Sequence, residues 1–276
     1  MSKTFKTILY LLLILLISAC EKEISVDIPD NHSKLVVSGH LGANDSMRID
    51  VSASIPLYEI SSGEVHILET AIVKISTDQQ NWITLTFNPF YQTYTLPAQN
   101  FSIIEGNTYY LEVSASGYQT VTSQVTIPVY QPMEAKLLKI DSIEDYDPNY
   151  KYIQAQFSFR DVANQANFYG VKAYGKNNGQ WIDLFPNDEK PWVFSDKQMD
   201  GKEFVFNFDG TIDLDSDSIK FRILQTNESF YLFHHSIYNY APEDPFTEAT
   251  PVYSNINNGL GIFSGYTYRD YMFALR

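Results

Sequence analysis

One cysteine, Cys20, is all the chain has among its 276 residues, so no disulfide can form within it. A body without staples must be held by core burial, which a chain of this length can supply. Bases are scarce as well: 19 Lys and Arg stand against 33 Asp and Glu, a net charge of −14. Phosphate backbones and anionic lipid surfaces need a basic patch, so nucleic acid is excluded as an expected partner. Long apolar runs are missing too, since Ile8–Ile17 spans ten residues and a membrane helix needs about 20. The five histidines (32, 40, 66, 234 and 235) show no H-E-x-x-H spacing, and no G-x-S-x-G elbow occurs. An array of Asp213, Asp215 and Asp217 carries Ser218 and Leu224 where a calcium loop needs Gly and Glu. Apolar parity also slips there, from Ile212 and Leu214 to Ile219, Phe221 and Ile223. A solvated turn is the reading, with no metal or cofactor expected.

What is present begins at the N-terminus. Lys3 and Lys6 precede the Ile8–Ile17 run, and Ser18 and Ala19 lead into Cys20. A basic head, a short apolar core and small residues are the parts of a secretory signal. Ile17-Ser18-Ala19-Cys20 resembles the bacterial lipobox, which implies cleavage before Cys20 and acylation of its thiol and amine. The alternative is an ordinary signal with a chance cysteine at its end. Two or three acyl chains, at about 0.8 kcal/mol per buried methylene, anchor a protein stably. The expected organisation is a signal peptide at 1–19 and a lipidated tether at 20–33. Removal of 1–19 takes Lys3 and Lys6 and no acid, so the remainder becomes still more acidic. Glu21-Lys22-Glu23 weakly resembles the Lys/acid-rich signal that sends lipoproteins of Bacteroidetes-type bacteria to the cell surface. Outer-membrane anchoring is thus expected, on the cell surface or the periplasmic face.

Beyond the tether the pattern is strand after strand. "KLVVSGHL", "SMRIDVSASI", "TAIVKIST", "WITLTF", "YQTYTL", "NTYYLEVSA" and "QTVTSQVTIP" are short β-branched and aromatic runs separated by turn residues. About seven such strands predict an immunoglobulin-like sandwich over 34–128. Gly106 followed by Tyr109 suggests a tyrosine corner. Pro128 and Pro132 mark the expected boundary. A second β-rich domain over 129–276 carries "KYIQAQFSFRD", "NFYGVKAYGK", "GQWIDLF", "KEFVFNF" and "SIKFRILQT". One helix is expected at about 228–241, capped by Asn227 or Ser229, stopped by Pro242, and packed through Phe230, Phe233, Ile237 and Tyr240. The fold class is therefore mainly all-β, in two β-sandwich-like modules, the second with a C-terminal helix.

Aromatic residues make up 15% of the chain, most of them core and edge packing in a β protein. Trp181, Phe185 and Trp192, around a proline-rich acidic loop, form the candidate surface for a glycan or peptide ligand. Gly259, Gly261 and Gly265 stop short of a dinucleotide fingerprint, because no helix or downstream acid follows them. Asn258 and Gly259 read as a turn, and Gly261 and Gly265 as close backbone approaches at a closing strand.

The tail "DPF…TPVYSNINNGLGIFSGY" closely resembles the C-terminal signature of a family of Bacteroidetes lipoproteins. That family is known mainly as a numbered domain of unknown function (forty-two forty-nine). "IPDNHSKLVVSGHL", "GNTYYLEVSASGY", "SQVTIP" and "FSFRDVANQANFYGVKAY" extend the resemblance over 20–276. It implies an envelope-anchored β protein, often encoded beside outer-membrane TonB-dependent receptors, and supplies no catalytic residue. The expected function is a non-enzymatic binding or accessory subunit of such a transport system. A carbohydrate-binding or adhesive module is the alternative. A hydrolase whose carboxylates converge only in space is the third reading.

Overall fold

Alternation of apolar and polar side chains builds the first half. β1 (Leu35–Gly42), β2 (Met47–Ala53), β8 (Thr108–Ser114) and β9 (Val121–Thr126) bury every second residue, the period a half-buried strand imposes. The computed structural model describes residues 33–55, 65–144, 147–177, 179–184, 192–240 and 251–275, with backbone alone at 144, 177 and 192. The expected signal peptide and Cys20 lie outside these residues, as do Phe185 and Pro242.

Between β2 and β8 come β3 (His66–Ile67), β4 (Ile72–Ser76), β5 (Ile83–Thr84), β6 (Thr86–Asn88) and β7 (Thr93–Leu96). A four-stranded sheet, β5-β4-β8-β9, shares one core with β1, β2 and β7 of a longer sheet. Val37, Ile49, Val73, Ile75 and Leu111 fill that core, each at most 1% exposed. Burial of such a side chain contributes about 1.5–3 kcal/mol. The tyrosine corner is real: the Tyr109 hydroxyl accepts from the Ile104 amide at 2.7 Å and donates to the Ser102 carbonyl at 3.2 Å. This half is sandwich-like, two sheets closed over one core.

The second half places β10 (Ala135–Glu144), β11 (Tyr150–Arg160) and β15 (Glu203–Asp213) in a three-stranded antiparallel sheet. Its inner face packs on β12 (Phe168–Asn177) and β16 (Ser218–Thr226) through a phenyl-rich core. Phe157 stacks on Phe221 at 4.5 Å and Phe159 on Phe204 at 5.2 Å. Much of the aromatic content is spent here, as the sequence led one to expect.

The two sandwiches share a sheet. Together with β13 (Gln180–Asp183), β14 (Trp192–Ser195) and β17 (Leu260–Ala274), the ten-stranded sheet has the order β13-β12-β16-β17-β1-β2-β7-β6, with β14 on β12 and β3 on β2. β17 lies at its centre, parallel to β1 and antiparallel to β16. Either side of the expected boundary near 128, Ile127 belongs to the first core and Met133 packs on the second. Ile256 and Phe263, far downstream of that boundary, nevertheless complete the first core. Residues Ser33–Arg276 accordingly form one compact unit.

The single helix among the described residues, α1 (Glu228–Tyr238), starts where Asn227 accepts the Phe230 amide at 3.2 Å. It covers the face of the long sheet turned away from the cores. Its buried residues are Phe230 and His234, one turn apart, while Tyr240 lies past the helix end and is exposed. The expected stripe is thus narrower, and one of its positions is a histidine. His234 stacks on His40 of β1 at 5.2 Å. The His40 Nδ1 lies 2.6 Å from the Ser264 hydroxyl.

The Asn257–Gly265 stretch fastens the open side of the first sandwich. Asn257 makes a bridge to Thr122 of β9, and the Asn255 side chain bonds the Phe263 backbone at 2.7 and 2.8 Å. Positive φ falls on Asn258 (63°) and Gly261 (109°). Gly259 and Gly265 stand against Val121 and Ile127 with no room for a Cβ.

Candidate functional site

Pairing of β10, β11 and β15 sets outward side chains in rows across three strands. A register shift between Leu137 and Lys139 turns Lys139 and Asp141 outward, while Ile140 packs inward. One row is then Lys139, Gln156 and Asn207, and the next is Asp141, Gln154 and Asp209. The rows stand two residues apart along the strands, about 7 Å. Between them lies a groove of about 450 Å³. Its floor is the backbone of Ala155 and Phe208, whose side chains belong to the second core.

The walls are hydrogen-bonding groups. Gln156 donates to the Asn207 carboxamide at 3.1 Å. An ion pair of Lys139 with Asp141 crosses the groove at its β10 end. The Tyr152 hydroxyl, one row further on, donates to Asp209, and this carboxylate raises the tyrosine pKa. Two carboxylates and one ammonium leave the groove slightly negative, and its carboxamides offer donors and acceptors side by side.

Trp181 lies elsewhere, on the outer face of the long sheet. It pairs in register with Lys176, and Tyr174 pairs with both Asp183 and Lys220. The Lys220 ammonium sits 4.2 Å from the Tyr174 ring centre and 5.0 Å from that of Trp181. Arg222 stacks on Tyr268 at 3.8 Å and grips Asp270 with two bonds of 2.7 and 2.9 Å. Burial lowers the Lys220 pKa, with Asp270 opposing. For Asp270 burial pushes upward, yet Arg222 and Lys220 outweigh it and hold the carboxyl below its ordinary range. Each cation here has an acidic partner: Lys172 pairs with Asp183, Lys176 with Asp217, and Lys220 and Arg222 share Asp270, so the ladder braces the sheet edge.

Of the three aromatic residues read as a ligand loop, Trp181 alone has a described side chain. The Trp192 backbone pairs with Val171, five residues along β12 from the partner of Trp181, or about 17 Å. Asp213, Asp215 and Asp217 lie in the reversal between β15 and β16, where the chain crosses from the three-stranded sheet to the long one. Asp217 there meets Lys176 at 3.6 Å and Ser218 at 2.7 Å.

A cluster that sequence reading missed is Asp161, Asp196 and Asp200, whose carboxylates lie within 4.8 Å of one another. Their separation along the chain hid it. Asp161 accepts from the Tyr169 hydroxyl and the Gly201 amide, Asp196 from the Asn167 amide, and Asp200 from the Asn164 amide. Each carboxylate thus holds loop backbone in place or ties a loop to the second core.

No helix among the described residues is long and apolar enough to cross a membrane. No curated protein matches the sequence. A family model described as a domain of unknown function (DUF4249) matches residues 21–271, and the chain belongs to that family.

Proposed function

We propose that the chain is a non-enzymatic, lipid-anchored binding protein of the bacterial cell envelope, serving an outer-membrane TonB-dependent transport system. The observation that carries the anchor is Cys20, placed directly after Ser18, Ala19 and the apolar Ile8–Ile17 run. The signature-bearing tail supports the link to a transporter through the lipoprotein family it resembles. Glu21-Lys22-Glu23 favours display on the cell surface. A binding role is supported by an open groove on a three-stranded sheet, with side chains suited to recognition. The convergent carboxylates Asp161, Asp196 and Asp200 are committed to loop contacts, which weighs against the hydrolase reading.

Two measurements test this. Cys20→Ala should leave unlipidated precursor that no longer partitions into detergent; unchanged partitioning would remove the anchor. The native protein, solubilised from its own membrane, should enrich an outer-membrane transporter when pulled down. Repeated failure to do so would remove the partnership. The carbohydrate-binding reading is favoured by the groove of the three-stranded sheet.

A further inference from the structure

We infer that the groove across β10, β11 and β15 is a glycan-binding site that takes a neutral, extended saccharide chain. The inference rests on the reading of the chain as a binding protein, and is independent of the lipid anchor.

Groove shape restricts the occupant first. The rows stand about 7 Å apart, centre to centre, and the groove between them, floored by backbone and open to solvent, admits sugar rings over β11 and β15 up to the Lys139–Asp141 pair at its β10 end. It offers no apolar hole for a peptide side chain, because Ala155 and Phe208 point inward. Nor can an extended peptide pair with the floor, whose backbone groups are engaged in the ladders of β11 with β10 and β15.

Wall chemistry restricts it further. Gln154, Gln156 and Asn207 present carboxamides, each both donor and acceptor. Sugar hydroxyls also donate and accept, so neighbouring hydroxyls can meet an amide N–H on one side and an oxygen on the other. Asp141 and Asp209 accept without donating, and Lys139 donates only. Asp141 and Asp209 outnumber Lys139, so the walls repel a polyanion, and carboxamides that set donor beside acceptor suit the hydroxyls of a neutral chain.

The outward position of these side chains makes the test clean, because replacing them leaves the second core intact. The full chain, purified in detergent, should bind neutral members of a glycan array. Hits would be quantified by titration with the same soluble oligosaccharides. Gln154→Ala and Asn207→Ala should each weaken binding about tenfold, as expected for loss of one or two hydrogen bonds. Trp181→Ala, on the other sheet, should leave affinity unchanged. Circular dichroism of each variant should match the parent. The inference is overturned if only acidic glycans bind, if nothing binds, or if binding is indifferent to both groove variants. Loss of binding through Trp181→Ala alone would also overturn it, by moving the site to the long sheet. Transporter enrichment that persists in a Gln154→Ala/Asn207→Ala double variant without a glycan ligand would leave the accessory role standing and the glycan site refuted.

Discussion

Val37 and Gly261 face each other across the parallel pairing of β1 with β17, so closely that a Cβ on Gly261 would lie 2.0 Å from the Val37 carbonyl oxygen. The obstacle is backbone at the centre of a sheet, which cannot give way as a side chain would. Gly261→Ala should therefore destabilise well beyond the 1–2 kcal/mol that a positive φ costs by itself. Gly179, also at positive φ but with open space around it, supplies the comparison. Unfolding free energies of Gly261→Ala and Gly179→Ala from urea titration should differ by about 2 kcal/mol or more; equal values would show that contact with Val37 is unimportant.

Removing one oxygen tests the tyrosine corner. Tyr109→Phe keeps the packed ring but deprives the Ile104 amide and the Ser102 carbonyl of their partner. A loss of about 1–3 kcal/mol in chemical denaturation is expected, typical of an uncompensated partly buried polar group.

His40 should make stability depend on acidity. Burial and then the positive charge of Lys172 lower its pKa from 6.5 to about 4. The unfolded chain thus takes up the proton first. Stability is fullest above about pH 6.5, falls as pH drops, and levels off near pH 4, with a contribution of at most about 3 kcal/mol. The ring faces His234 of the helix and Ser264 of β17. His40→Gln retains a hydrogen-bonding group for Ser264 but cannot titrate. Its denaturation midpoint should vary less between about pH 7 and about pH 4 than that of the parent.

Asp270 answers to both Arg222 and Lys220. Asp270→Asn removes the one influence raising the Lys220 pKa while burial and Arg222 continue to lower it. The lysine pKa, followed by NMR of its ammonium group, should fall further below the ordinary range. Stability should drop by about 1–3 kcal/mol, because Arg222 is left partly buried without its anion.

Strand identity was written plainly in the first half, where "SMRIDVSASI" and "NTYYLEVSA" alternate cleanly and became β2 and β8. β10 was missed because its parity changes within the strand: Leu137 and Ile140 both pack inward across the register shift. Periodicity cannot see a bulge. Nor can it see partners, so nothing in "SGYTYRD" announced a parallel neighbour in β1 more than two hundred residues earlier. The groove was hidden for the same reason. Gln154 and Gln156 read simply as the wet side of β11, and Asn207 and Asp209 as that of β15. Only the pairing of Gln156 with Asn207 and of Gln154 with Asp209 makes them a wall and its neighbour. Trp181 was visible as an aromatic platform, but the cations that occupy its surroundings come from β12 and β16.

The central place of β17 sets a condition on how the molecule can be made. Each nascent chain presents Leu35–Gly42 long before Leu260–Ala274 exists beside it, and β1 must wait with one edge unpaired. Neither sandwich can close early, since Phe263 belongs to one interior while Tyr271 and Phe273 pack on the other. Contacts of such sequence separation are entropically costly to form and slow to nucleate. Folding should therefore be late and concerted, with a long interval in which the edge of β1 and both interiors stay open.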